Sequence, residues 1–326
     1  MKIGSFSPCI VKQVVNSRPY KGMQHVGIKI RNLAIKIYNL VLPKNPITEK
    51  RQIRLIPTAV ERLVGKVSYD SVCPKEQMCT NATWNTQVST VFDNLVAQVQ
   101  RKNITYQVRV LHDDDTTNAY CLPGGFTVIT TAMIQALEEP SDFDREFPDI
   151  TFEDKIAAVM GHEIIHAAAG HGAMKMQLKI LTFCAGKITS TVLPHLLFKR
   201  RATQDDNTCP QTKVNKHAKE ALGKGIDVAC SLASHLFIQS HSRCNEFEAD
   251  KYGMLLAHSA GYNPLASVWL QKKFVAMEKG ESGGKASLVK KGIQLFSSHP
   301  PSETRVHANR KTLQEIQSGT LKLHYA

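Results

Sequence analysis

The sequence predicts an α+β domain, mainly helical, with one small sheet packed on a buried central helix. Three observations carry this prediction. Strand patterning is confined to residues 104–131, where Ile104, Tyr106, Val108 and Val110 alternate and a β-branched run, 126–131, follows. The longer apolar stretches on either side recur at helical spacing. The stretch after Thr151 is apolar almost all round, through Ile156, Ala157, Val159, Met160, Ile164, Ile165, Ala167, Ala168 and Ala169, which marks a helix buried on every side. At 326 residues, with 42% hydrophobic and 21% charged side chains, the chain has the length and composition for a substantial core, which excludes a disordered protein.

Taken in order, residues 1–50 form a basic N-terminal arm. No acid occurs before Glu49, while Lys2, Lys12, Arg18, Lys21, Lys29, Arg31, Lys36 and Lys44 are present. Such an arm is either a targeting or membrane-surface segment or a solvated basic tail. Pro8, Pro19 and the interspersed lysines exclude a secretory signal. No uninterrupted apolar run is long enough for a plain transmembrane helix. The folded domain is expected over 51–326, with its core starting near Ile56.

Within that domain, 86–99 reads as a helix with Val88, Val91, Phe92, Leu95, Val96 and Val99 on one stripe. A strand at 104–111 and a polar turn at 113–117 precede Asn118-Ala-Tyr-Cys-Leu-Pro-Gly-Gly125, a strand–turn–strand in which Gly124 and Gly125 are free to take positive φ. A short helix is expected at 131–138 and a Pro- and Asp-rich loop at 140–149. Thr151, with Asp154 three residues on, forms a variant capping box for a long helix reaching about Met176. A helical insert over about 177–240 contains the basic knot Lys199-Arg200-Arg201. A helix over 242–258 ends at Gly261, and Asn263-Pro264 opens another reaching about Glu278. The remainder is helical apart from a flexible 280–284 and a polar 297–302. Eight cysteines include no Cys-x-x-Cys pair, so a thiolate zinc ribbon is unsupported. Cys73 and Cys79 alone are close enough to join across a turn in an oxidising compartment.

Residues 162–166 read His-Glu-Ile-Ile-His. On a helix, His162 and His166 lie one turn apart on one face, about 6 Å between Cβ atoms. Both imidazoles then reach one Zn²⁺ at about 2.0–2.1 Å, and Glu163 is placed to take a proton from an attacking water. A solvated charged face is the alternative, but a buried helix leaves these groups in need of partners. A third ligand must come from elsewhere. The extension that would put Gly at 169 and His at 172 is missing, because the chain has Ala169 and Gly172 there. His171 is one residue short and reads as a surface or outer-shell residue. Glu246 and Asp250, in Asn245-Glu-Phe-Glu-Ala-Asp250, are four apart on one helix face. Glu246 is the candidate ligand and Asp250 the acceptor that orients a ligand imidazole. Glu248 lies roughly 200° round the helix from Glu246 and is not expected to share that task. A solvated acidic face remains the competing reading of the pair.

These residues resemble the zinc metallopeptidases that include the CAAX prenyl protease, HtpX and the mitochondrial OMA-type proteases. Asn118-Ala-x-x-x-Pro-Gly-Gly125 is similar to the segment preceding their active-site helix, Glu246-x-Glu-Ala-Asp250 to their third-ligand motif, and His299-Pro-Pro-Ser-Glu-Thr-Arg305 to their His-Pro-x4-Arg segment. Asn45-Pro-Ile-Thr48 also resembles the opening segment of the OMA-type and soluble-domain members, which fit better than the multi-helix membrane subgroups. Departures are Gly170 where Arg is frequent and Tyr120-Cys121 where Phe-Ala is usual. The resemblance implies a zincin-like fold and one Zn²⁺ per chain held by His162, His166 and Glu246, with Glu163 as general base. It also implies that His299 faces the metal, either donating to the oxyanion or filling the fourth position at rest, while Arg305 holds the His299 loop against an acidic group. Asn118, Ala119, Pro123, Gly124 and Gly125 would border an extended substrate added as a β-strand.

The implied function is endoproteolysis of membrane-associated or misfolded proteins in quality control. Protein or peptide substrates and a membrane surface are the expected partners. A mitochondrial inner membrane is favoured by the acid-free arm, with a bacterial envelope as the alternative. Net charge +13 also raises a non-catalytic nucleic-acid- or membrane-binding protein. Nucleic acid is not expected, because no helix-turn-helix, RNP motif or zinc finger accompanies the charge, and acidic phospholipids account for it equally well. An inactive holdase is disfavoured by the intact Glu163.

Overall fold

The computed structural model describes Asn32, Asn39 and residues 42–199, 210–279 and 302–322, and it divides into two units, 1–55 and 56–326. In the first unit Asn45 builds a tight turn. Its side-chain Oδ1 accepts from Ile47 N at 2.8 Å, and Lys44 and Arg51 bridge antiparallel across it. The rest of the basic arm lies outside the described residues.

The second unit opens with helix α1, Thr58–Val72, which the sequence reading does not identify. The reason is an inverted pattern. The buried stripe is Glu61, Gly65 and Tyr69, while Val60, Leu63 and Val67 face solvent. Helix α2, Ala82–Ala97, starts four residues earlier than expected because Asn81 caps it, accepting from Thr83 N at 3.0 Å and Trp84 N at 3.2 Å. Its buried face is Val88, Val91, Phe92 and Leu95.

Strands β1 (Gln107–Leu111), β2 (Ala119–Leu122) and β3 (Phe126–Thr130) form one sheet in the order β1-β3-β2. β1 runs parallel to β3 with Gln107 opposite Phe126, and β2 runs antiparallel to it with Ala119 opposite Ile129. Central β3 is buried along its whole length, whereas β2 is an edge. The β2–β3 turn needs glycine twice. Gly124 and Gly125 have φ of 82° and 92°, and a Cβ on Gly125 would lie 2.5 Å from Thr105 O. Thr130 ends β3 and caps α3, Thr131–Glu138, by accepting from Met133 N.

Helix α4, Phe152–Ala169, begins with the expected capping box: Asp154 N donates to Thr151 Oγ1 at 3.2 Å and Thr151 N to Asp154 Oδ2 at 2.9 Å. It does not run on to residue 176. Gly170 takes the left-handed conformation, φ 75°, and the chain restarts as α5, His171–Lys199. Helix α6, Pro210–Ser259, is far longer than the 242–258 expected and takes up the second half of the insert. Lys187 pairs with Asp227 at 3.1 Å and His171 with Glu248 at 3.1 Å, so α5 and α6 run antiparallel as a hairpin. Helices α7, Leu265–Lys279, and α8, Glu303–Gln317, complete the unit.

α4 lies at the centre, packed by α2, α3, α6, α7 and the sheet. Its crossing with α6 is unusually close. A Cβ on Gly161 would sit 2.8 Å from Gly253 O, and one on Gly253 would sit 2.8 Å from His162 N. Backbone therefore meets backbone one residue from His162. Cys73 and Cys79 are both buried free thiols and do not pair.

Candidate metal centre

His162 and His166 project from the C-terminal half of α4, and Glu246 comes from the last third of α6. The Gly161–Gly253 contact holds these two helices together. The His162 and His166 Nε2 atoms are 3.0 Å apart, and each is 3.4 Å from a Glu246 carboxylate oxygen. Two ligand atoms, each about 2.0–2.1 Å from a tetrahedral ion, lie about 3.3–3.4 Å apart. The three side chains thus form one triangular face of a metal tetrahedron, and their donor set, two imidazoles and a carboxylate, suits zinc chemistry.

Around this triangle the tautomers are fixed. His162 Nδ1 lies 2.9 Å from Asp250 Oδ1, so it donates there and leaves Nε2 as a lone-pair donor. Asp250 is itself gripped by Arg305 of α8, whose Nε and a terminal nitrogen each reach it at 2.7 Å. The third Arg305 nitrogen is 3.4 Å from Glu246. Burial pushes the Asp250 pKa up, but the Arg305 guanidinium outweighs it and holds the carboxyl below the usual range. Burial likewise opposes charge on His162, yet Asp250 and Glu246 override it and raise its pKa to about 10. A metal ion entering this site must therefore displace a proton.

His166 has a separate relay through His171, for which the sequence allows an outer-shell place without giving its partners. Its Nδ1 is 2.9 Å from His171 Nδ1, and His171 Nε2 is 3.1 Å from Glu248. One proton arrangement satisfies the chain: His166 Nδ1–H donates to His171, and His171 Nε2–H donates to Glu248. His166 Nε2 then carries the lone pair that would bind a metal. The helix-wheel argument rightly separates Glu248 from Glu246. It cannot show that the break at Gly170 turns His171 back toward that other face of α6.

Glu163 is 2% exposed and borders a cleft beside His162. His299 lies outside the described residues. Asn118 and Ala119 are buried at the start of edge strand β2, Gly124 is buried against Glu61 and Arg62 of α1, and Gly125 is buried against Thr105. A Cβ on Gly65 would fall 1.6 Å from Pro123 O, so α1 clasps that turn directly. A buried pair, unread from the sequence, locks the clasp. Arg101 holds Glu61 through two bonds of 3.2 and 2.6 Å and donates to Ala167 O at 2.7 Å, tying α1 to the end of α4.

The model of peptidase family M48 matches residues 82–313, which takes in the sheet, both metal-facing helices and most of α8. The chain belongs to peptidase family M48. Family M48 membership implies a catalytic metal. Among its relatives, the mitochondrial metalloendopeptidase OMA1 of Schizosaccharomyces pombe is 24% identical over 83% of this chain and 66% of its own length. The human mitochondrial metalloendopeptidase OMA1 is 23% identical over 91% of this chain and 50% of its own, and the Arabidopsis thaliana protein of that name is 25% identical over 71% and 39%. The chain thus spans between about two fifths and two thirds of the length of these relatives.

Proposed function

We propose that the chain is a zinc-dependent metalloendopeptidase that hydrolyses peptide bonds in membrane-associated or misfolded proteins at a mitochondrial membrane. The observation that carries this is the convergence of His162, His166 and Glu246, within 4.8 Å of one another, beside buried Glu163. These three would hold one zinc ion. When bound, zinc supplies Lewis-acid polarisation of the scissile carbonyl and favours ionisation of the attacking water. Glu163 accepts the proton of that water and returns it to the leaving amine. Asp250 and Arg305 keep His162 in one orientation, and His171 with Glu248 does so for His166. His299 is the proposed donor to the developing oxyanion, and the edge of β2 at residues 119–122 is the proposed strand for pairing an extended substrate.

The membrane part of this reading rests on the hairpin. Along α5, Ile180, Phe183, Ile188 and Val192 are exposed, and Lys175, Lys179 and Lys187 lie among them. No described helix is long and apolar enough to cross a membrane, so the reading is of surface contact with acidic lipid. The mitochondrial part is supported by the relatives, which are named as mitochondrial enzymes. The deciding experiment measures zinc content and casein cleavage for the wild type beside Glu163→Gln. The account expects one zinc per chain in both and a loss of cleavage of about 10²-fold or more in the variant. Full cleavage by Glu163→Gln would overturn it.

A further inference from the structure

Four segments distant in sequence meet at one buried ion pair. Glu61 comes from α1 and Arg101 from the loop between α2 and β1, and their exposures are only 1% and 4%. The Arg101 fork closes on the carboxylate, Nη1 to Oε1 at 3.2 Å and Nη2 to Oε2 at 2.6 Å. Its other bonds run to Ala167 O at 2.7 Å and Asn103 Oδ1 at 3.3 Å. Ala167 directly follows His166 in the last turn of α4. On the other side of the pair, Glu61 Oε1 accepts from Gly124 N at 3.4 Å. Gly124 belongs to the turn after β2, and its own carbonyl accepts from Thr105 N at 3.1 Å. The pair therefore bridges the turn of the edge strand and the helix that carries His162, Glu163 and His166.

A buried ion pair is a weak device for stability. Both charges lose their hydration, and apolar residues of similar volume often serve a fold as well or better. What apolar residues do not supply is a fixed length and direction. The guanidinium is planar, and its fork holds a carboxylate in one orientation. Here it ties a carboxylate that holds the β2–β3 turn to a carbonyl one residue past a candidate metal ligand.

We infer that Glu61 and Arg101 are positioning residues, which set the edge of β2 against α4 so that a peptide paired with that edge lays its bond at the site of His162, His166 and Glu246. The inference rests on the metalloendopeptidase reading and on β2 as its substrate strand. Neither residue belongs to the metal triangle, which α4 and α6 build between them. Pairing with the β2 edge uses main-chain groups, so loss of the ion pair leaves that pairing available. What is lost is the fixed relation between strand and metal site, where a misplacement of about 1 Å costs about 10²-fold in rate.

Steady-state cleavage of casein peptides tests this, with zinc-loaded wild type and two variants compared. Glu61→Leu with Arg101→Met removes both charges at similar volume. Arg101→Lys keeps a charge beside Glu61 but cannot reach both carboxylate oxygens and Ala167 O together. Each is expected to keep KM and zinc affinity within about 3-fold of the wild type and to lose about 10-fold or more in kcat. One folded variant is enough to decide. An unchanged kcat in it overturns the inference, whatever happens to its thermal midpoint or KM. So does a loss of zinc affinity that matches the loss of kcat, because the pair would then act on the metal site and not on the strand. Failure of both variants to fold overturns it too, since the pair would then be a requirement of the fold. If the wild type cleaves none of the peptides, the metalloendopeptidase reading itself falls. If it cleaves them and the folded variants match it, only this inference does.

Discussion

His166 and His162 carry the same type of side chain on the same helix, but their outward nitrogens are held differently. For His162 the acceptor is a carboxylate, Asp250, fixed by Arg305. For His166 it is another imidazole, His171, fixed by Glu248. Removing such a partner typically costs 10–100-fold in metal affinity. His171→Phe is therefore expected to weaken zinc binding by about that factor, with the far-ultraviolet circular dichroism unchanged. Glu248→Ala should weaken it too, and the double variant should lose no more than His171→Phe alone, because both act through one chain of bonds. Additive losses on zinc titration would show that the two residues act separately. At this scale the sequence is partly legible. The four-residue spacing of His162 and His166 is a property of the helix and can be read directly. Glu246 is readable as a candidate, but its meeting with them is tertiary. The His171 relay depends on Gly170 taking φ 75°, which sequence spacing does not display.

Among the elements, α4 and α6 matter most, and what joins them is the absence of side chains. Gly161 and Gly253 let the two backbones touch beside His162, and that contact sets the depth at which Glu246 and Asp250 approach. Gly253→Ala places a Cβ 2.8 Å from His162 N. The expected result is a stability loss of about 1–3 kcal/mol, read from the thermal midpoint, with zinc affinity reduced about tenfold or more. Gly225→Ala on the same helix is the control. A Cβ there meets nothing within 4 Å, so helix propensity should leave stability equal or slightly higher. If Gly253→Ala behaves like Gly225→Ala, the crossing does not set the site. The sheet, the cap at Thr151 and the side chain of Asn263, whose Oδ1 accepts from Leu265 N at 3.0 Å at the start of α7, were readable because each follows a local rule. α1 was hidden because its buried face carries Glu61 and Gly65, whose partners Arg101 and Pro123 are distant in sequence.

For the whole molecule, we propose that net charge +13 and the exposed apolar side chains of α5 serve one purpose, attachment to acidic lipid. Co-sedimentation should show binding to vesicles containing cardiolipin at least about tenfold tighter than to neutral phosphatidylcholine, falling with added salt. Phe183→Asp with Ile188→Asp should weaken that binding while zinc content stays unchanged. Equal binding to both vesicle types, or no effect of the double variant, would contradict the account. The basic composition was legible from the start. Which surface it serves was not, because Ile180, Phe183, Ile188 and Val192 are seen to be exposed only once α5 and α6 pair. The central claim, however, is narrower than membrane contact: one ion joins two helices far apart in sequence. Zinc titration of Glu246→Gln against the wild type tests it most directly. The account predicts one tight site per chain in the wild type and a loss of affinity of at least about 100-fold in the variant, with the fold intact. An undiminished zinc site in Glu246→Gln would contradict it.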